Sequence, residues 1–444
     1  MIQLYDDYHQ GSRDLHYSLS KAGYDGPVVV NNDDGFLPEG VTSVYAYFCE
    51  MSIGEGKPLY FNQLSVPELW EITGNNSEGA VWDYGTLKAK IFYAEPKHLR
   101  YIKNVDWYDD NQKVRFTDHY NQSGWLFART SFTSEQKLAT KSYFNRLGYE
   151  VIVENFLTGD IILNWEGKVQ FFENRVALLT YYFKIMAWDC DQIWYNSLST
   201  PFFLSYHSKE QGEDILFWQE EIGEELPGNM RVMLNSETVR TQRVIVQNRQ
   251  TYDKMMEIAT PEQQSKLSYL GFIYPQLRDN NNRKDILIVT NSDRIERLEF
   301  LVNELTDYTF HIAALTEMSP RLSALESEPN IRLYPNISQK TLDRLFSECD
   351  VYFDINHGSE VLNAVRRAFE NRMLIFAFEN TVHQVKLIAP EHLVSSEKVE
   401  SIIHQLRQFE GQFEVLATIQ ERETVQESKE TYRSYLGSEG TKNE

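Results

Sequence analysis

Cysteine and positive charge are both scarce in this 444-residue chain. The three cysteines, Cys49, Cys190 and Cys349, are far apart and odd in number. That excludes a disulfide framework and a clustered metal site, and fits thiols kept reduced. Lysine and arginine total 43 against 65 aspartates and glutamates, a formal net charge of −22. Such acidity excludes broad nucleic-acid binding, which needs cations to neutralise phosphates, and nonspecific attraction to anionic lipid. No stretch approaches the ~20 apolar residues of a membrane span. The start, MIQLYDDYHQGSRDL, lacks the basic segment and apolar run of a secretion signal. Together these absences point to a cytoplasmic protein.

What is present suffices for large cores: 42% of residues are apolar, with 26 Tyr, 25 Phe and 8 Trp. At about 150 residues per domain, two to three domains are expected.

The last third reads most clearly. DILIVTNS, TFHIAAL, IRLYPNI, VYFDIN and MLIFAFEN are apolar, β-branched strand runs. Between them RIERLEFLVNEL, QKTLDRLFSECD and SEVLNAVRRAFEN have helical spacing. This alternation predicts a parallel sheet covered on both faces, a Rossmann-like domain over 281–411. The same grammar recurs in GPVVVNNDDG, DQIWYN and RVIVQN; VTSVYAYFCEM fits a helix or a further strand, and RQTYDKMMEIATPEQQSKLSYLG a helix or helix pair. These pieces predict a first Rossmann-like domain in two parts, 1–56 and 176–280. Between them, 57–175 is rich in Val, Ile, Thr, Tyr and Phe, punctuated by DDNQ, TGD and EGK. It predicts antiparallel hairpins in a mainly two-layer meander, with edges and one face free to dock a partner. Residues 412–444 predict a charged helix and a disordered end.

NHGSEVLNAVRRAFEN, 356–371, has the rhythm of a sugar-transferase motif: a glycine turn, an apolar helix, an apolar strand. With two Rossmann-like domains it resembles the GT-B glycosyltransferase architecture, giving an α/β, GT-B-like fold with a β-rich antiparallel insertion in the first domain. Over nearly its whole length the chain resembles a narrower family, most clearly in MIQLYDDYHQGSRDLHYSLSKAGYDGPVVVNNDDGF, NVDWYDDNQKVRFTDHYNQSGWLFARTSF and DINHGSEVLNAVRRAFENRMLIFAFEN. That family is the glycosyltransferase-stabilising (B) subunits of the complex that glycosylates serine-rich repeat adhesins in streptococci and their relatives. The resemblance rests on the sum of these stretches, not on one sharp signature. It implies a noncatalytic protein that stabilises a catalytic A subunit in a hetero-oligomer and helps recognise the Ser/Thr-rich, partly glycosylated adhesin acceptor. The A subunit moves N-acetylglucosamine from UDP to Ser or Thr. Export by the accessory Sec route implies a cytoplasmic location, with or without peripheral attachment to the cytoplasmic face of the membrane. It implies no cofactor.

Active retaining relatives carry E-G-F-G-x-x-x-x-E, whose second glutamate accepts hydrogen bonds from the donor ribose. On this pattern Gly358 takes the second glycine's place, Ile355 the first glutamate's and Asn363 the second's. Ile355 accepts no hydrogen bond, and Asn363 has one acceptor oxygen where a carboxylate has two. Bonds to a charged group contribute about 1.5–3 kcal/mol each, so losing several costs orders of magnitude in donor affinity. With Ser359 as N-cap, Glu360 falls in the first helical turn, where it suits the helix dipole and repels a diphosphate. The phosphate-neutralising Arg and Lys of active relatives fall on Asn291 and Glu296 in one register and on Ser292 and Arg297 in the next.

Open α/β sheets bind ligands beyond the carboxyl ends of their strands. Here those ends carry Asn31, Asn32, Asp33, Asn196, Ser197 and Ser199 in the first domain, and Asn291, Asn356, His357, Gly358 and Asn363 in the second. Amides and hydroxyls suit sugar hydroxyls and peptide backbone, so these are candidates for glycopeptide binding; ordinary loop-forming residues are the competing reading. SIGEGKP (52–58) lacks Walker spacing and reads as a surface turn, and DWYDD as a hairpin turn. Two further functions compete with the noncatalytic subunit: an active retaining transferase with an atypical donor site, and a sugar-binding module unrelated to any transferase.

Overall fold

A computed structural model describes residues 1–51, 56–208, 210–424 and 426–437. The first four residues of SIGEGKP and the end of the tail, 438–444, lie outside the described residues. The chain divides into two compact units, Met1–Leu270 and Gly271–Glu444. Among the described residues no helix is long and apolar enough to cross a membrane.

The first unit is built on β1 (Ile2–Tyr5), β2 (Val28–Val30) and β3 (Val41–Ser43), with helices α1 (Gln10–Ala22) and α2 (Val44–Phe48). VTSVYAYFCEM is thus strand and helix in turn. The break falls at Ser43, whose hydroxyl caps α2 by accepting from the Ala46 amide at 2.8 Å. The chain then leaves the sheet for ten strands before returning.

Those ten strands are β4 (Glu71–Gly74), β5 (Glu78–Asp83), β6 (Thr86–Tyr93), β7 (Ile102–Tyr108), β8 (Val114–Tyr120), β9 (Leu126–Phe132), β10 (Leu138–Phe144), β11 (Glu150–Asn155), β12 (Ile161–Trp165) and β13 (Lys168–Phe172). They pair antiparallel in simple sequence order as one sheet, not the two layers the sequence predicts. The sheet needs no second layer because its two halves bury opposite faces. Phe127, Ala128, Tyr143, Ile152, Ile161 and Leu163 join the core of the first domain. Following the register from Ala128 through His119 and Asn104 on the same face leads to Phe92, which is exposed. Its neighbours Ile91 and Val105 point the other way and are buried with Leu64 in a separate core, packed by Leu59, Val66 and Trp70. At the other edge, Val169 and Phe171 of β13 face outward, 59% and 73% exposed.

Helix α3 (Arg175–Ile185) leads back to the first sheet, and α4 (Thr200–His207) follows β14 (Ile193–Tyr195). Then come β15 (Asp214–Trp218), β16 (Thr241–Val246) and β17 (Leu267–Tyr269). The sequence reading passes over β15, whose five residues sit between acidic flanks. β17 lies in the stretch expected to be helical, which forms two helices, Arg249–Ile258 and Pro261–Gln264, before pairing parallel with β16. The parallel order is β17-β16-β15-β14-β1-β2-β3. Direction of travel reverses between β1 and β14, which makes the ends of those two strands the switch point. Arg175 ties the antiparallel sheet to this domain: it donates to Glu154 of β11 at 3.0 and 2.8 Å and to Asn32 Oδ1 at 2.7 Å, while the Tyr45 hydroxyl also donates to Glu154.

The second unit holds β18 (Asp285–Thr290), β19 (Thr309–Ala314), β20 (Ile331–Tyr334), β21 (Val351–Asp354), β22 (Leu374–Phe378) and β23 (Leu393–Val394). They are parallel in the order β20-β19-β18-β21-β22-β23, with the switch point between β18 and β21. Two helices are shorter than their sequence period. RIERLEFLVNEL is helical only over Leu298–Glu304, because Arg297 is left-handed (φ 55°) and Ile295 bridges to Asn356. SEVLNAVRRAFEN is helical only over Ala364–Glu370, because Leu362 and Asn363 are left-handed (φ 51° and 52°). The helix Phe413–Glu423 packs on β22: Gln420 donates to the Met373 carbonyl and accepts from the Ile375 amide, both at 3.0 Å. The helix Lys429–Leu436 is held by the Tyr432 hydroxyl on the Gly271 carbonyl at 2.7 Å.

Candidate functional site

The sequence motif lies at the switch point of the second unit. Asn356, two residues past β21, is 3% exposed and its amide is fully engaged. Its oxygen accepts from the Thr290 hydroxyl (2.8 Å) and the Gly358 amide (3.1 Å); its nitrogen donates to Asn291 Oδ1 (3.3 Å) and the Ser359 carbonyl (3.4 Å). Asn291 in turn donates to the Ser359 hydroxyl at 2.8 Å. This contact demands glycine at 358, since a Cβ there would lie 1.8 Å from Asn291 Oδ1. Asn291, Asn356 and Gly358 are therefore brought together as the fastening of one turn.

The two carboxylate places are filled differently. Ile355 has no exposed surface and packs with Phe353, Phe376 and Leu298 in the core. Asn363 is exposed, and its side chain makes no cap bond to the helix that follows. Glu360 does not sit in the first helical turn, and Ser359 is not the N-cap. The left-handed pair at 362–363 starts the helix later, and the Glu360 carboxylate folds back to accept from the Val365 amide at 3.1 Å and from Gln384 at 2.8 Å. A side-chain anion thus occupies an N–H of the helix start, and the Gly358 N–H is spent on Asn356. His357 pairs with Glu296 at 2.6 Å. Arg297 donates to the Ser396 carbonyl at 3.0 Å.

His383, which the sequence reading missed, holds the turn from below. Its Nδ1 meets Asp354 Oδ1 at 2.6 Å and its Nε2 meets the Gly358 carbonyl at 2.8 Å. Both partners only accept, so both ring nitrogens must carry protons. The hydrogen bond that Nδ1–H donates to Asp354 is the main cause, and it outweighs burial to push the imidazole pKa up to about 9. The available signal was topological: Asp354 ends β21 and His383 follows the adjacent parallel strand β22.

At the switch point of the first unit, Asp6 is the hub. Asn31 donates to its Oδ1 at 2.8 Å, Ser197 to its Oδ2 at 3.4 Å, and its backbone amide donates to Asn196 Oδ1 at 3.2 Å. Asn196 also donates to Ser12 at 2.9 Å, and Ser197 to Ser199 at 3.1 Å. Asn31, Asn196 and Ser197 are all buried. Asn32 and Asp33 point elsewhere: Asn32 to Arg175, Asp33 to the Gly35 amide at 2.8 Å and the Ser43 hydroxyl. Burial raises the Asp33 carboxyl pKa.

Two parallel α/β sheets, an antiparallel insertion and a transferase-like motif without its carboxylates define a glycosyltransferase-like protein of GT-B-like fold. Its sequence matches models of the GtfB N-terminal domain (2–48), the GtfB middle domain (70–173), the GtfB third domain (175–258) and the GftB/GlyA-F C-terminal domain (286–422). The chain belongs to the GtfB family, the UDP-N-acetylglucosamine–peptide N-acetylglucosaminyltransferase stabilizing proteins. It is 54% identical to the member from Streptococcus agalactiae over 440 residues, covering 99% of this chain and 100% of that protein. It is similar to a chain in a crystal structure of a GtfA/B complex bound to UDP and GlcNAc (TM-score 0.93, 42% identity, 99% of each chain). The pneumococcal O-GlcNAc transferase GtfA, solved with UDP and GlcNAc, shares the fold at 12% identity (TM-score 0.52, 98% of each chain).

Proposed function

We propose that this chain is the noncatalytic, stabilising subunit of a two-protein O-GlcNAc transferase. It binds the catalytic subunit and the Ser/Thr-rich, partly glycosylated adhesin acceptor, while the partner moves GlcNAc from UDP. One observation carries the reading: Ile355 is sealed in the core where a retaining transferase needs a carboxylate. Glu360 supports it by filling a helix amide that a diphosphate would use. The family relatives bear the name of stabilising proteins, which agrees.

In this reading the ten-stranded sheet docks the catalytic subunit. Acceptor contacts fall to the accessible members of the second cluster, Asn291, His357 and Asn363. Asn31, Asn32, Asn196 and Ser197 in the first unit, and Asn356 and Gly358 in the second, shape the loops of their own units. The complex works in the cytoplasm, with peripheral attachment to the membrane face as its closest approach to export.

Co-expression with the catalytic subunit tests this. The two proteins should co-purify, and the partner should lose solubility and acceptor transfer when expressed alone. Calorimetry on the isolated chain should show no tight UDP-GlcNAc binding. Transfer by the isolated chain would overturn the reading in favour of an active enzyme with an atypical donor site.

A further inference from the structure

A cavity of about 600 Å³ lies in the first unit where the β11–β12 hairpin meets the starts of α3 and α4. That volume is within the range of small-ligand pockets. Phe156 of the hairpin and Phe203 of α4 each leave more than a third of their surface exposed on its wall. His207, one turn after Phe203, lies parallel to that ring, with planes 12° apart and centroids at 6.0 Å. Two amides join these rings. Asn155 accepts from the Leu157 amide and Asn174 from the Ala177 amide, each at 3.0 Å. Those bonds fix each oxygen toward the backbone and leave the NH2 group as the outward donor. Among the described residues, the charged side chains on the wall are Glu154 and Arg175, bonded to each other at 2.8 and 3.0 Å, so they neutralise one another.

Flat aromatic faces, oriented amide donors and no net charge suit a neutral ligand with one C–H face and a rim of hydroxyls. A phosphate would meet an arginine already neutralised, on a chain of net charge −22. We propose that this cavity is a pyranose-binding site, and that its ligand is a sugar already attached to the acceptor peptide. The pyranose chemistry stands on the cavity itself; the attachment to acceptor rests on the function proposed above.

The test uses the full chain in complex with its catalytic partner and two probes, a Ser/Thr peptide carrying GlcNAc on one threonine and the same peptide unmodified. Both rings are exposed enough for Phe156→Ala/Phe203→Ala to fold, with an unchanged melting temperature as the control. The double variant should bind the glycosylated peptide about tenfold more weakly. Affinity for the unmodified peptide should not change, and Phe203→Trp should retain binding. Unchanged glycopeptide affinity in the double variant would overturn the proposal, as would an equal loss for the unmodified peptide. If no complex forms, saturation transfer to free GlcNAc-threonine is measured on the chain alone. A signal lost in the double variant then supports the pocket while the wider functional reading fails; a signal that survives overturns the pocket.

Discussion

A glutamate at position 355 would sit fully buried in the apolar core that includes Phe353, Phe376 and Leu298. Ile355→Glu should therefore destabilise the second unit by at least about 3 kcal/mol, read from the urea midpoint, because a buried unpaired carboxylate is costly. Asn363→Glu, exposed in a left-handed turn, should cost only about 1 kcal/mol. Neither variant should gain UDP-GlcNAc affinity; a stable double variant that binds the nucleotide sugar tightly would contradict the reading of this site. His383 gives the residue scale a pH signature. Its pKa rises from an unfolded value of about 6.5 to about 9 in the folded chain. Protonation therefore stabilises the fold fully below pH 6.5, and this contribution fades as pH climbs through about 9. It is on the order of 3 kcal/mol at most. Stability of the wild type minus that of His383→Gln should shrink between pH 6 and pH 9.5, and an imidazole titrating near its ordinary value by NMR would refute the latch. Of these residues, Ile355 and Asn363 were legible as missing carboxylates, since residue type alone decides what can accept a hydrogen bond. Their surroundings were not legible: whether a position faces core or solvent just past a strand depends on the neighbouring strand.

Among the elements, the β-branched runs announced nearly every strand of the second unit, because a sheet covered on both faces leaves little choice of composition. Helix starts were harder. SEVLNA has a good N-cap pattern, yet the bonds of Glu360 to Val365 and Gln384 hold the preceding residues in a turn, so tertiary contact overrides the local signal. The antiparallel insertion was legible as hairpins, but its layering was not. Face alternation looks the same in sequence whether the two halves of a sheet bury one side or opposite sides. Its outer edge offers a clean test of partner docking. Val169→Lys/Phe171→Lys changes two exposed side chains of β13, so stability should move by no more than about 0.5 kcal/mol per site. Co-purification with the catalytic subunit should be lost. An intact complex would move the docking surface away from this edge.

For the whole molecule, the two units have separate cores, one uniting the first domain with β9–β12 and one closed within residues 286–417. Unfolding should therefore show two calorimetric transitions, with the antiparallel half-sheet melting together with the first domain. A single transition whose calorimetric and van't Hoff enthalpies agree would exclude this. The ten-stranded sheet has a further mechanical consequence. It is fixed near one end, on β11, where Arg175 grips Glu154, and finished at the other by its own small core, so the strands from β11 to β4 act as a beam held at one end. Seven interstrand spacings of about 4.8 Å separate β11 from β4, a contour of roughly 34 Å. A rotation of about 5° at the anchored strand would then carry β4 by roughly 3 Å over that length. Anything clasped near the tip would be steered by small changes at the root, so the Arg175–Glu154–Tyr45 joint is a fulcrum as well as a fastening.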